Sequence, residues 1–323
     1  MTFRMQPIAG ALALAFFTAA AAAQGFPAKP VRIVVPYSQG TGSDVLARTV
    51  GQAVTARLKQ PVVIENKDGG GSLVGTMDVA KSAPDGYSIL IAANPFVIVP
   101  SARSDAPYDP VKSFVPIAKI AVIPLVLAVS NDQPIKSVAE LVAFAKANPG
   151  KLSYASSGPG TISQQEMELF KLAAGLDIVE VGYKSTAQAM TDVLGGHIAL
   201  FPVVVPLVLQ HLKAGKARAL GLFDTRRSPV LPEVPLMGDE VKVAGYMPTP
   251  VWYGFVAPAG TPREAIDVLN REIVAAMQAP EVQQRLAGMG AQPISVTNEQ
   301  FTADLRAEFE KAGGLAKRLG TYK

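Results

Sequence analysis

Short, continuous runs of apolar residues recur along the chain and predict buried β-strands. The runs of strand length are VRIVVPY, PVVIE, YSILIAA, LVLAVS, LSYAS, IVEVGY, IALFPVVV, ARALGLF and YGFVAP. Continuous rather than alternating apolarity is typical of strands that are buried on both faces, as in parallel sheets covered by helices. Helical patterns lie between the runs; in residues 43–58, for example, Leu46, Val50, Ala53 and Val54 fall on one face. This alternation of strand and helix predicts an α/β fold.

Three loops rich in small residues lie between a predicted strand and a predicted helix. They are SQGTGSD at 38–44, the longer YASSGPGTISQQE at 154–166, and GYKSTAQAM at 182–190. The first N–H groups of a helix have no internal partner and carry partial positive charge, so such a loop can bind an anion. A single loop of this kind can be glycine-rich for steric reasons alone. Three of them at the carboxyl ends of strands favour a ligand site, because open α/β sheets bind ligands at that edge.

Motifs for catalysis or for a cofactor are weak in this sequence. GTGSDV lacks the third glycine of a dinucleotide fingerprint, and DGGGSLVG lacks the Gly-Lys-Ser/Thr of a phosphate-binding loop. The two histidines, His197 and His211, lie at a turn and in an apolar run, and we expect both to be structural. No Gly-x-Ser-x-Gly motif and no cluster of metal ligands is present in the sequence. The chain is therefore predicted to be a binding protein without a cofactor or metal, rather than an enzyme.

Composition and the first residues indicate where such a protein acts. Residues 1–23 have one positive charge at Arg4, an apolar stretch and a run of alanines up to Ala23. This is the pattern of a secretory signal peptide cleaved after Ala23, with a retained N-terminal anchor as the alternative. The remaining length predicts two domains. A formal charge of +4 without a Lys/Arg run argues against nucleic acid as a partner, and the absence of cysteine is compatible with the periplasm.

Several sequence blocks stand in the order found in one protein family. They include FPAKPVRIVVPYSQGTGSDVLAR, PVVIENKDGGGSLVG, APDGYSILIA, PYDPVKSFVPI, NPGKLSYASSGPGT, VGYKSTAQAMTDVLGGHI, AGKARALGLFDTRRSPVLPEVP and VWYGFVAPAGTP. The chain resembles the periplasmic solute-binding receptors of tripartite tricarboxylate transporters, the Bug family. The resemblance covers essentially everything that follows the predicted signal peptide.

The resemblance implies a two-domain "Venus flytrap" fold with the ligand in the cleft between the domains. Residues 24–125 together with 250–323 would form the first domain, and 126–249 the second. Such a receptor captures a small carboxylate and delivers it to the inner-membrane permease, and we expect a monomer. One alternative is a receptor that presents its ligand to a sensor or regulatory system. A more remote alternative is an exported nucleotide-dependent or hydrolytic enzyme.

The resemblance also implies which residues bind the ligand. Two loops would hold one carboxylate between them: Tyr37, Ser38, Gly40, Thr41, Gly42, Ser43 and Asp44 on the first, with Ser156, Ser157, Gly158, Thr161 and Gln164 on the second. For Asp44 we favour a structural role, as a first-turn helix carboxylate paired with Arg48 one turn later. Further wall residues would be Tyr183, Lys184, Ser185 and Asn94. Phe96, Val203 and Val204 would make the specificity end apolar, which predicts a carboxylate with an apolar or aromatic body and no ammonium group.

Overall fold

A computed structural model describes residues 25–158, 160–183, 185–243, 246–318 and 320. The predicted signal peptide and Lys184 lie outside the described residues. In the part of the chain that is described, no helix combines the length and the apolarity that a membrane-spanning helix needs.

Two β-sheets organise the fold. The first has six strands in the order β11-β4-β10-β3-β1-β2, and the second has five in the order β7-β6-β8-β5-β9. The first sheet contains β1 (Val31–Val35), β2 (Val62–Asn66), β3 (Ser88–Ala93), β4 (Phe114–Ile123), β10 (Val251–Pro258) and β11 (Gln292–Pro293). The second contains β5 (Leu125–Ser130), β6 (Ser153–Ser156), β7 (Val179–Gly182), β8 (Leu200–Val204) and β9 (Ala217–Phe223).

Helices connect these strands and cover the sheets. They are α1 (Gly42–Leu58), α2 (Leu73–Ala80), α3 (Pro95–Ser101), α4 (Val138–Ala147), α5 (Ile162–Ala174), α6 (Thr186–Leu194), α7 (Val205–Lys213), α8 (Met237–Val241), α9 (Arg263–Ala276), α10 (Pro280–Gly288) and α11 (Asn298–Arg318). The apolar stripe of α1 is buried as its periodicity predicts, with Leu46 and Val50 fully enclosed. Every apolar run named above contains a strand or part of one.

The expectation of parallel sheets is only partly correct. Strand β1 pairs in parallel with β2 and β3, and β6 pairs in parallel with β7 and β8. However, β10 is antiparallel to both β3 and β4, and β5 is antiparallel to both β8 and β9. A continuous apolar run indicates burial on both faces, and these antiparallel strands are buried in the same way: every residue of β5 and β10 is buried.

The chain changes from one sheet to the other at Pro124. This residue lies between the end of β4 at Ile123 and the start of β5 at Leu125. The chain returns to the first sheet through residues 224–250, which join β9 to β10. The division into domains at 125/126 and 249/250 stays a prediction from the sequence.

Candidate functional site

A cavity of about 240 Å³ opens where the two sheets face each other. Its walls come from the carboxyl-end loops of strands in both sheets, and from the strands β8 and β10 themselves. The lining residues are Tyr37, Thr41, Gly42, Ser43, Ala93, Asn94, Pro95, Leu125, Ser157, Thr161, Ile162, Ser163, Thr186, Phe201, Pro202, Val203, Val204, Leu207, Val251 and Tyr253. No side chain among these described residues carries a charge.

The starts of three helices meet at this cavity. Residues 41–43 are the start of α1, residues 161–163 are the start of α5, and Thr186 is the first residue of α6. These are the three loops in which the sequence predicted anion sites. Because the N–H groups at a helix start lack internal partners, their partial positive charges converge on the cavity. The cavity can therefore hold an anion without a cationic side chain.

The first loop is shaped by Asp44, which is buried. Its carboxylate accepts hydrogen bonds from the Gly40 N–H (3.0 Å) and from the Asn66 amide (2.9 Å), and it pairs with Arg48 at 2.9 Å. Burial alone would raise the pKa of Asp44, but the hydrogen bonds from Arg48, Gly40 and Asn66 outweigh it and hold the pKa below its usual range. The pairing with Arg48 that the sequence predicted is present, and the structural role of Asp44 stays a prediction. Asp44 does not line the cavity.

Two other predicted residues of the first loop also lie outside the cavity. Ser38 is exposed, and its hydroxyl donates a hydrogen bond to Asp68. Gly40 has a positive φ of 81°, which a glycine adopts readily, and it lines a neighbouring groove instead. Thr41, in contrast, lines the cavity as the N-cap of α1, and its hydroxyl accepts a hydrogen bond from the Asp44 N–H.

The second loop is held in place by Glu180, a residue that the sequence reasoning missed. Glu180 accepts hydrogen bonds from the Ser156 hydroxyl (2.6 Å) and from the Gln164 amide (3.0 Å). Ser156 also accepts from the Gly158 N–H, and Gln164 accepts from the Gly160 N–H. Ser156, Gly158 and Gln164 therefore fix the shape of the loop and do not line the cavity. The only sequence signal for Glu180 was an acid in the middle of an apolar strand.

Hydroxyl groups of the second loop do reach the cavity. Ser157 and Thr161 line it as predicted, and Ser163 joins them from the first turn of α5. The Ser163 hydroxyl accepts from the Ser157 N–H at 3.2 Å and lies 3.1 Å from the Thr161 hydroxyl. Ser163 is 5% exposed, and its contacts with Ser157 and Thr161 join the three residues into one polar wall. Ser163 lies two residues after Thr161, the N-cap of α5, which is the sequence signal that could have identified it.

The third loop lines the cavity through a residue next to the predicted ones. Tyr183 donates a hydrogen bond from its hydroxyl to Asp192 at 2.7 Å, which holds the ring against α6. Ser185 caps α6 by accepting from the Gln188 N–H. Neither side chain lines the cavity; Thr186 does. Capping uses the Ser185 hydroxyl, so the hydroxyl available to a ligand is the one that follows.

The apolar end of the cavity is partly as predicted. Val203 and Val204 line it, together with Leu125, Phe201 and Leu207. Strand β8 carries these valines to the cavity edge, because it lies next to β5 in the middle of the second sheet. The body of a ligand at this end would contact hydrocarbon.

Phe96 and the side chain of Asn94 are corrections to the predicted site. Phe96 is fully buried in the core, where its ring lies 5.0 Å from that of Phe114 and 5.6 Å from that of Tyr108. Asn94 borders the cavity, but its amide is used elsewhere. It donates to Glu308 at 2.9 Å and accepts from the Trp252 N–H at 3.2 Å. Both side chains face the interior of the first sheet's layer rather than the cleft.

Two tyrosines line the cavity, and the hydroxyl of one of them, Tyr37, is itself buried. Tyr37 was predicted; Tyr253, on β10, was missed because its run was read only as a buried strand. Tyr253 is 8% exposed, and burial raises its pKa to about 12, so the phenol stays neutral and can donate a hydrogen bond. A Cβ placed on Gly42 would lie 2.8 Å from the Tyr253 hydroxyl oxygen. The glycine therefore allows the start of α1 to approach this phenol.

Comparison with known proteins shows what the chain is similar to. The family profile described as tripartite tricarboxylate transporter family receptor (TctC) matches residues 46–321. The protein BugT of Bordetella pertussis is 33% identical over 311 residues, which cover 96% of this chain and 95% of that protein.

Two solved structures extend the similarity to the fold. The periplasmic binding protein BugD is 32% identical with a TM-score of 0.77, over 92% of this chain and all of the other. An R. palustris protein solved with adipate is 30% identical with a TM-score of 0.77, over 90% of this chain and 98% of the other. The mixed α/β architecture with two sheets is thus that of periplasmic binding proteins.

Proposed function

This chain belongs to the tripartite tricarboxylate transporter receptor family, and we propose that its cavity captures a small carboxylate with an apolar body. The carboxylate lies against the starts of α1, α5 and α6, and the body extends towards Val203 and Val204. Delivery of the ligand to membrane permease subunits, from the periplasm, is the role that follows from this family. Residues 1–23, read as a signal peptide, accord with that location.

One observation carries the proposal: three helix starts and their hydroxyls converge on a cavity whose described lining is uncharged. A cation bound there would face the positive ends of the helices, whereas a carboxylate would face unpaired N–H donors. Thr41, Ser163 and Thr186 place hydroxyls at the starts of the three helices, although the Thr41 hydroxyl already donates to the Ser38 carbonyl at 2.9 Å. The backbone N–H groups of the helix starts are thus the main donors offered to an anion from both sheets.

The relative that was solved with adipate supports the apolar body. Adipate is a saturated chain between two carboxylates, so it needs hydrocarbon contacts as well as donors. In this chain, Leu125, Phe201 and Leu207 supply such contacts beside the polar wall. An ammonium group on the ligand would find no acidic side chain among the described lining residues.

We propose binding without turnover. The side chains at the cavity are hydroxyls, phenol rings and hydrocarbon, and the amide of Asn94 at its border is already bonded to Glu308 and to the Trp252 backbone. Burial keeps the phenols protonated, because it raises the pKa of both Tyr37 and Tyr253. A bound carboxylate would therefore meet donors that orient it, but no carboxylate or imidazole that could act as a general base among the described lining residues.

Thermal unfolding of the ligand-stripped protein tests this function. The panel contains aliphatic dicarboxylates, tricarboxylates, aromatic acids, amino acids and nucleotides. A compound at 100 times its dissociation constant adds about 2.7 kcal/mol of stability, which raises the melting temperature by several degrees. We expect such a shift with a carboxylate and none with nucleotides. A shift with nucleotides alone would contradict the proposal.

A pair of threonine variants locates the site. Thr186→Val removes a hydroxyl at the cavity, and the carboxylate-induced shift should shrink. Thr191→Val removes a hydroxyl from the same helix, where it bonds to the Ala187 carbonyl at 3.0 Å away from the cavity, and should leave the shift intact. Equal effects of the two variants would mean that the ligand lies elsewhere.

A further inference from the structure

A second, larger groove adjoins the cavity. Its volume is about 740 Å³, and it lies between α10 and the first turn of α7. The two spaces share the residues Gly42, Val204, Leu207 and Tyr253 as a common wall. The cavity and the groove are therefore adjacent, on either side of these four residues.

The part of the groove next to the cavity is apolar. Val45, Ile123, Pro206 and Met289 line it in addition to the shared Val204 and Leu207. Leu207, which is 51% exposed, belongs to this apolar stretch. The hydrocarbon lining thus continues from the cavity into the groove.

Two side chains that line the groove have no hydrogen-bond partner among the described residues: one lies where the groove meets the cavity, and the other lies on α10. The Tyr253 hydroxyl, on a side chain that is more than nine-tenths buried, makes no hydrogen bond to a described residue. On α10, the Arg285 guanidinium lines the groove without an ion pair or side-chain hydrogen bond to the described chain. Glu281 stands one turn earlier and also lines the groove, but it does not pair with Arg285.

We propose that this groove is a second subsite that receives the far end of an elongated dicarboxylate. This rests on the proposed function, because the near carboxylate must lie at the helix starts. The methylene chain passes Tyr253 and Leu207, and the far carboxylate pairs with Arg285. The cavity alone, at about 240 Å³, is smaller than the range typical of ligand pockets, whereas the two spaces together are large enough for a longer chain.

The chemistry at the two ends determines the ligand class. An aliphatic monocarboxylate would fill the apolar path but leave Arg285 unused. A short dicarboxylate would have its second charge within the apolar stretch, away from any donor, which is unfavourable. A long dicarboxylate satisfies both ends and places only methylene groups between them.

Calorimetric titration of the ligand-stripped protein tests the subsite. The ligands are succinate, adipate, suberate and sebacate, with octanoate as the monocarboxylate matched to suberate. We expect suberate or sebacate to bind more tightly than succinate, and suberate more tightly than octanoate. Arg285→Ala should weaken suberate binding by about fivefold, the usual upper value for an exposed ion pair, and change octanoate binding by less than twofold.

Two further variants separate charge from folding. Arg285→Lys retains the charge and should keep most of the affinity for suberate. Glu281→Gln removes the neighbouring negative charge and should tighten suberate binding by about twofold, opposite in sign to Arg285→Ala. An equal loss of suberate and octanoate binding in Arg285→Ala, or tightest binding of succinate by the wild type, would overturn the subsite. Failure of every carboxylate to bind the wild type would overturn the proposed function itself and the subsite with it.

Discussion

Replacement of Gly42 by alanine tests how closely α1 approaches β10. Gly42 is the first residue of α1, and a Cβ at this position would lie 2.8 Å from the Tyr253 hydroxyl oxygen, 3.5 Å from the Tyr253 Cζ and 3.7 Å from the Met289 Cε. Real Cβ atoms essentially never come within 3.0 Å of a heavy atom that is not bonded nearby, so something must move. The Tyr253 ring is rigid and buried in the central part of the first sheet, so it cannot yield as a flexible side chain would.

The expected loss of stability is the difference between two effects. Overpacking of a buried site costs about 1–3 kcal/mol. The better helix propensity of alanine returns at most about 1 kcal/mol, and less at a helix start than in its interior. We therefore expect Gly42→Ala to lower the free energy of unfolding by about 1–2 kcal/mol.

A double variant isolates the hydroxyl as the cause. In Gly42→Ala combined with Tyr253→Phe, the nearest Tyr253 atom to the new Cβ becomes Cζ at 3.5 Å, an ordinary contact. The double variant should therefore be more stable than the sum of the two single changes predicts, which makes the coupling measurable as a double-mutant cycle.

Urea unfolding of the ligand-free protein measures these differences. Gly288→Ala is the matched control, since Gly288 also belongs to a helix but no heavy atom lies within 4 Å of its added Cβ. The control should be neutral or slightly stabilising. Wild-type stability of Gly42→Ala, or absence of any rescue by Tyr253→Phe, would refute the close approach.

Two further predictions concern groups that lie behind the cavity. Burial raises the pKa of Glu308 to about 7, against the opposing effect of hydrogen bonds from Asn94 and Trp252. The folded state then binds this proton more tightly than the unfolded chain, so the stability that Glu308 contributes is fully present below the unfolded pKa and is lost as the pH rises towards 7. We expect Glu308→Gln to reduce the difference in unfolding free energy between pH 5 and pH 8 by about 2–3 kcal/mol, measured by urea unfolding. An unchanged difference would contradict this. Phe96→Ala should lower the free energy of unfolding by about 3–5 kcal/mol through the cavity it leaves. Its effect on carboxylate affinity, measured by calorimetry at a temperature where the variant is folded, should be small. A large loss of affinity with intact stability would mean that Phe96 contacts the ligand after all.

Strands β4 and β11 correspond to none of the predicted apolar runs, and β4 shows what the apolar pattern cannot reveal. Strand β4 runs over ten residues, but Pro116 and Lys119 interrupt its apolar run. Both are accommodated by tertiary contacts: Pro116 pairs with Val256 of β10 in the register, and the Lys119 ammonium lies 2.7 Å from Asp304 on α11. Neither partner is near in sequence, so a local pattern could not predict that these residues belong to a central strand.

The site shows the same limit at the level of single side chains. The sequence predicted that the three loops would lie at strand ends, and the structure brings them to one cavity. Which polar side chain of a loop faces the cavity was harder to predict. Ser156 and Ser163 are both serines of the second loop, yet Glu180 binds the first and the second lines the cavity. Such choices depend on partners supplied by other elements.

By itself, the sequence determined the alternation of strands and helices, the starts of the helices, and the loops that carry the unpaired N–H groups. These features depend on residues within a few positions of each other, through periodicity, capping and conformational preference. The tertiary structure decided the strand directions, the inward position of Phe96, the use of Asn94 by Trp252 and Glu308, and the place of Tyr253 opposite Gly42. Each of these depends on contacts between residues far apart in the chain, because burial and hydrogen bonding are satisfied by whichever groups the packed sheets bring together.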